Sequence, residues 1–231
     1  MKPRASDGGP RLGVFVTGTD TDVGKTLVSA ILVKAWGGDY WKPYQTGVAA
    51  ASGDTETVAA LLGPGGGHAL HAPACVLRAP LAPWAAARAE GVVLDVSALR
   101  PPRTAVPLVV EGAGGLYVPV DERHMMIDLA ARLALPVVLV ARSTLGTINH
   151  TLLSLRALRA RGLSVLGVVM NGQPSPGNRE ALERFGPVRV IAEIPPLARV
   201  DAAAVAAVAA GIPALDVLMR GAPARRARPG A

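Results

Sequence analysis

TGTDTDVGKT, residues 17–26, follows the apolar run LGVFV at 12–16 and leads into LVSAILVKAW at 27–36. An apolar strand, a loop rich in Gly, Thr and Asp, and a helix opening on Gly24-Lys25-Thr26 make a phosphate-binding arrangement. Backbone N–H groups at the helix start face an anion, Lys25 adds a full positive charge, and the Thr26 hydroxyl suits Mg²⁺. The usual pattern places a glycine five residues before the Gly-Lys pair. That position is Thr19 here, and the nearest glycine is Gly18. The plain alternative is a strand-to-helix turn whose glycines serve geometry alone. Strand, loop, Lys-Thr and helix in register favour nucleotide binding.

The same alternation runs outward along the chain. LGVFVTG, YWKP, PLVVEG, PVVLVAR, VLGVVMN and VRVIAEI read as strands, several apolar on consecutive positions, as strands covered on both faces must be. TLVSAILVKAW, DTETVAALLG, MIDLAARLAL, NHTLLSLRALRARG and GNREALERFG read as helices between them. In the fourth, Leu152, Leu155 and Leu158 recur at helical spacing, Arg159 and Arg161 occupy the last turn, and Gly162 suits the C-cap. The pattern predicts an α/β fold of P-loop NTPase type: a mostly parallel sheet with helices on both faces and ligands at the carboxyl ends of the strands. Residues 63–84 break the rhythm with Gly and Pro and read as a long loop. No internal repeat is visible.

Composition narrows the class. A chain of 231 residues with 50% hydrophobic content suits one core, built mainly from Val, Leu, Ile and Ala because aromatics are 3%. No apolar run has the length and character of a membrane span, and no signal-like region follows MKPRASDGGPR, so a cytoplasmic protein is expected. Cys75 is alone, which excludes an internal disulfide or a Cys-rich metal cage. The net charge of +7 invites a nucleic-acid reading. Setting aside residues 1–11 and 220–231 leaves 17 basic and 16 acidic side chains in the body. The excess therefore lies in two arms rich in Pro, Gly and Ala, expected to be disordered around a single domain at 12–219. No aromatic interleaving supports a nucleic-acid site.

A Mg²⁺–nucleotide site needs oxygen ligands. Glu111 ends the strand PLVVE and precedes Gly112-Ala113-Gly114-Gly115, a turn with room for phosphates. Asp54 opens DTETVAALL, where a metal ligand and a helix cap are equally good readings. Four lysines (Lys2, Lys25, Lys34, Lys42) stand against 20 arginines. Lys42, in WKPYQTG at the end of the second strand, projects toward the phosphate-loop rim, and Pro43 and Gly47 mark a shaped turn there. A strand-end surface charge is its bland alternative.

Taken together, GTDTDVGKT, KPYQTG, the Asp of SGDTETVAALLG, VEGAGG, LGTINHTLLSL, VVMNG and EIPPL resemble, in order and spacing, the dethiobiotin synthetases of biotin biosynthesis. The resemblance runs from about residue 12 to about residue 215, and Gly18 stands where that family keeps its own glycine. It implies ring closure of 7,8-diaminononanoate with CO2 and ATP to dethiobiotin, ADP and phosphate, through a carbamate and a carbamic–phosphoric anhydride. It also implies that Lys25 and Lys42 are the charged groups of the reaction and that Thr26, Asp54 and Glu111 hold Mg²⁺. Asp22, Val23, Gly24, Lys25, Thr26 and Leu27 would wrap the triphosphate beside Glu111, Gly112, Ala113 and Gly114. Asn171, Gly172, Pro195, Pro196 and Leu197 would surround the adenine. Thr46 would hydrogen-bond the substrate. The family's site lies at a homodimer interface, where the segment Leu145-Gly146-Thr147-Ile148-Asn149 would offer backbone N–H groups to the substrate carboxylate of the neighbouring subunit. His150 then reads as a helix-start residue. Residues 63–84 match only through Pro80, Pro83, Ala86 and Ala87, and Trp84 departs from the pattern.

Rival classes fit less well. A partition- or membrane-positioning ATPase would use the basic arms, but it usually carries an additional early lysine, and Thr19, Asp20 and Thr21 stand there. A GTPase would follow Asn171 with Lys and Asp rather than Gly172-Gln173-Pro174. An amide-forming synthetase with the same core would need a glutaminase domain and its nucleophilic cysteine.

Overall fold

The computed structural model describes residues 12–221, so the basic arm at 1–11 and residues 222–231 of the other arm lie outside the described residues. In chain order the elements are β1 (Gly13–Gly18), α1 (Lys25–Trp36), β2 (Asp39–Trp41), β3 (Tyr44–Gln45), α2 (Asp54–Leu62), β4 (Leu70–His71), β5 (Cys75–Val76) and α3 (Pro83–Glu90). There follow β6 (Leu108–Gly115), α4 (Met126–Leu133), β7 (Val137–Arg142), α5 (Thr147–Ala160), β8 (Val165–Asn171), α6 (Asn178–Phe185), β9 (Val190–Ile194), α7 (Ala202–Ala209) and α8 (Leu215–Gly221). Among the described residues, seven strands form one parallel sheet in the order β4-β2-β6-β1-β7-β8-β9, and β3 with β5 makes a separate two-stranded ribbon.

Period-two alternation divides the core. Val14, Val16, Val109 and Val140 face α1, α2, α7 and α8, whereas Phe15, Val110, Leu139 and Met170 face α4, α5 and α6. Both faces of the central strands are thus covered, which is why β1 and β7 read as unbroken apolar runs. Leu155 and Leu158 of α5 are fully buried, each such side chain contributing about 1.5–3 kcal/mol. Leu152 is only partly buried. Arg159 lies in the last turn as expected, but Arg161 is already the C-cap, with Gly162 at φ 73° beyond it.

Residues 63–84 differ from the long-loop expectation. They contain β4, which adds an edge strand beside β2, then β5, and they run into α3, whose first residue is Pro83. Proline suits that place because its missing N–H would have no helical partner. Ala86 and Ala87 pack with Leu77 in a small satellite core.

All strands of the main sheet run the same way, so their carboxyl ends share one rim. The phosphate loop, Lys42, the approach to α5, Asn171-Gly172 and Pro195–Leu197 lie at or just after strand ends on that rim. Gly112–Gly115 differ from the expected turn: β6 runs through Glu111 to Gly115, because Gly115 still pairs with Gly18 of β1, and the chain turns only at Leu116.

Candidate active site

The loop after β1 is shaped by left-handed backbone. Asp22 has φ 54° and Gly24 has φ 95°, and alternation of this kind turns successive N–H groups toward a common centre. Gly24 has a second reason to be glycine: a Cβ there would overlap the Asn171 amide, which donates to the Val23 carbonyl at 3.0 Å. Gly18 is also explained. A Cβ there would lie 3.2 Å from the Lys25 ammonium and 2.7 Å from both the Asp20 carbonyl and Val23. The glycine shifted from the usual position makes room for the lysine to fold back and donate to the Asp20 carbonyl at 3.0 Å. Arg142, at the end of β7, pairs with the Asp20 carboxylate at 2.8 Å and steadies the loop from outside.

Beside this loop the acidic and basic groups converge. Val16 of β1 lies opposite Glu111 of β6, and Glu111 leaves the sheet on the α1 face, two residues after Val109. The Thr26 hydroxyl lies 3.0 Å from Glu111 Oε1 and 2.9 Å from Asp54 Oδ1. The Lys42 ammonium donates to Glu111 Oε1 at 3.0 Å and forms an ion pair with Asp54. Glu111 and Lys42 are almost fully buried. Asp54 is not the helix cap that its position allowed. Gly53 is the N-cap of α2, and the Asp54 side chain turns away to Thr26 and Lys42 while Gln45 Oε1 accepts the Asp54 N–H at 2.8 Å.

Protonation follows from these contacts. Burial alone would lower the Lys42 pKa, but Glu111 and Asp54 outweigh it and hold it above its ordinary value. Burial would raise the Asp54 carboxyl, yet Lys42 brings it below the usual range, with Thr26 and Gln45 helping. Lys25 goes the other way: burial lowers its pKa, and Glu111 only partly compensates. A buried cation poorly compensated within the protein favours an anionic ligand.

An AAA domain family model matches residues 12–204. The chain is 59% identical over 194 residues to ATP-dependent dethiobiotin synthetase BioD of Paramagnetospirillum magneticum, covering 84% of this chain and 93% of that one. The chain belongs to the dethiobiotin synthetase family. It is 44% identical over 206 residues to BioD of Rhodopseudomonas palustris strain TIE-1, covering 89% of this chain and 96% of that protein. It is also 64% identical over 209 residues to the biotin biosynthesis bifunctional protein BioCD of Bordetella avium. That match covers 90% of this chain and 44% of the bifunctional protein, so the chain spans less than half of that relative. Among solved structures, chloroplast FtsY of Physcomitrella patens aligns with a TM-score of 0.44 at 18% identity, over 86% of this chain and 66% of that one. That likeness is too loose to bear on function.

As a member of the dethiobiotin synthetase family, the chain is an ATP-dependent ligase. Its remaining predicted site residues fall in three places. Val23 is buried, Leu27 half-buried against the core, and Gly112 sits on Phe15 and Met126, while Ala113 and Gly114 continue β6 beside the phosphate loop. Asn171 and Gly172 stand next to Pro195, Pro196 and Leu197, because Asn171 pairs with Ile194 and the Gly172 N–H donates to the Ile194 carbonyl at 2.9 Å. Thr46 follows β3, half-buried, its carbonyl accepting from Gln45 Nε2 at 2.8 Å.

Gly146, Thr147 and Asn149 stand apart from this cluster. Gly146 caps α5 with φ 92° and no side-chain cap, Asn149 is exposed, and the Thr147 side chain is buried rather than presented outward. No hydrogen bond or ion pair among the described residues ties these three to the Lys42–Glu111 group. Two residues absent from the sequence reading support the carboxylates: Tyr40 donates to the Glu111 carboxylate, and Gln45 accepts the Asp54 backbone N–H. The one available signal was parity, since Tyr40 precedes Lys42 by two positions in an extended segment. Trp84 lies in the first turn of α3, its indole donating to Glu122 at 2.9 Å and its ring stacked against Arg88, well tied to the β6–α4 connection.

Proposed function

We propose that this chain closes 7,8-diaminononanoate with CO2 and ATP to the cyclic urea dethiobiotin, releasing ADP and phosphate. The observation that carries the reading is the meeting of Lys42, Thr26, Asp54 and Glu111 beside a phosphate loop in a member of this family.

The donor set fits Mg²⁺. Two carboxylates and a hydroxyl offer only oxygen, the ligand type that a hard cation prefers, and Mg²⁺ commonly combines one or two carboxylates with phosphate oxygens and water. Thr26 Oγ1, Asp54 Oδ1 and Glu111 Oε1 would be its protein ligands. When bound, the ion supplies neutralisation of phosphate charge.

One amine of the substrate adds to CO2 and loses a proton, giving a carbamate. A carbamate oxygen attacks the γ-phosphorus and ADP leaves, forming the carbamic–phosphoric anhydride. The second amine attacks its carbonyl carbon and expels phosphate, and the amine's proton goes to solvent. Two anions must meet in the second step, and Lys25 and Lys42 place fixed positive charge between them. Burial opposes the Lys42 charge, but Glu111 and Asp54 outweigh it and favour the protonated form. No side chain has to act as a nucleophile, and proximity supplies much of the acceleration.

The substrate carboxylate is held, on this proposal, by the α5 N-terminus of a second copy in a homodimer. Gly146, the N-cap of α5, has no side-chain cap, which leaves the first N–H groups of that helix for an anion.

The direct test is incubation with diaminononanoate, bicarbonate, ATP and Mg²⁺, followed by mass spectrometry and phosphate assay. The proposal predicts cyclic urea and phosphate in equal amounts. Phosphate released without the urea, or neither product, would contradict it.

A further inference from the structure

Tyr40 and Lys42 are two positions apart in an extended segment, so both leave the sheet on the same face. Strand register puts Tyr40 opposite Val109, two residues before Glu111 on the neighbouring strand. From there the phenol runs along β6, fully buried, and its hydroxyl donates to Glu111 Oε2 at 2.9 Å. The other oxygen, Oε1, is the one that meets both Thr26 and Lys42. Each carboxylate oxygen therefore has a distinct set of partners.

We infer that Tyr40 is a positioning residue for Glu111: its donated hydrogen bond fixes the carboxylate so that Oε1, and not Oε2, is presented to Thr26 and to the metal–nucleotide complex. The inference rests on the Mg²⁺–ATP reading of the site. Tyr40 is fully buried and acts through Glu111 alone. Phenylalanine would keep the packed ring and remove only the hydroxyl. Glu111 Oε2, on a residue 1% exposed, would then lack a partner and compete for the same cations as Oε1.

The test is a calorimetric titration of the full chain with a non-hydrolysable ATP analogue, with and without Mg²⁺. Wild type, Tyr40→Phe, Glu111→Gln and the double variant are compared, each with its melting temperature. Loss of such an outer partner is expected to cut the Mg²⁺-dependent gain in affinity by about 10-fold or more, with metal-free binding nearly unchanged. The double variant should bind no worse than Glu111→Gln alone, because Tyr40 has nothing left to orient. A full Mg²⁺-dependent gain in Tyr40→Phe, or equal losses with and without Mg²⁺, would overturn the inference. A double variant clearly worse than Glu111→Gln would do the same. Absence of any Mg²⁺-dependent gain in wild type would overturn the metal reading itself, and the positioning role with it.

Discussion

Lys42, Asp54 and Glu111 set one another's protonation, and the consequence is measurable as stability against pH. The Asp54 pKa is lowered by folding, so its contribution is present above the ordinary 3.8 and is lost as pH falls through the lower folded value. Lys42 is raised, so its contribution is present below 10.5 and is lost only as pH climbs through a still higher folded value. Denaturant midpoints between about pH 5 and pH 2 should therefore fall more steeply for wild type than for Asp54→Asn. Parallel slopes would mean that the Lys42–Asp54 pair adds nothing to folding. At this scale the sequence exposed the residues that the structure gathers beside the phosphate loop. Lys25 and Thr26 open α1 and Lys42 follows β2, where a charged or hydroxyl side chain has few structural reasons to be, and Glu111 is a carboxylate inside the otherwise apolar and small-residue strand β6. Asp54 was ambiguous because an aspartate at a helix start serves equally well as a cap. Tyr40 and Gln45 were not legible, because a buried aromatic on a strand looks like core, and Gln45 works through the Asp54 backbone N–H, a contact that only the fold brings together.

The elements turn these residues into a site by their ends. Gly24 carries α1 out of the phosphate loop at φ 95° with the Asn171 amide against it, so a methyl group meets both backbone strain and a filled space. Gly24→Ala should raise the KM for ATP by about 10-fold or more, consistent with a strain of about 1–3 kcal/mol, in steady-state assays at saturating diaminononanoate. An unchanged KM would mean that the loop relaxes freely. Far from the site, the Asp201 side chain accepts from the Ala204 N–H at 3.0 Å and caps α7. Asp201→Ala should cost about 1 kcal/mol in denaturant unfolding and leave kcat unaltered. The central strands and the helices joining them were readable from their periodicity. The segment AAAVAAVA of α7 was not, since nearly uniform small apolar residues give no polar face to mark a helix. The two-residue strands β3, β4 and β5 are too short for alternation to show, and their pairing is decided by tertiary contact.

For the whole molecule, the account requires a rim on which positive charge is fixed before the reactants arrive, and a second subunit to complete the substrate pocket. Leu145→Glu should shift the chain toward a slower-sedimenting monomer and reduce turnover together, because a charge at that exposed apolar position disfavours a covered interface. An active monomer would remove the second subunit from the site. A chain trimmed to residues 11–221 should keep kcat/KM within about twofold, since the body from Leu12 to Gly221 contains the core and the charged cluster. A large loss would give the basic arms a part in catalysis. The central claim is that Lys42 acts on transferred charge and not on nucleotide capture. It is tested most directly by measuring, for Lys42→Gln, both ATP affinity by calorimetry and the rate of cyclic urea formation by mass spectrometry. The account predicts a dissociation constant within a few-fold of wild type and a turnover lower by about 100-fold or more. Retained turnover, or a loss of ATP binding as large as the loss of rate, would contradict it.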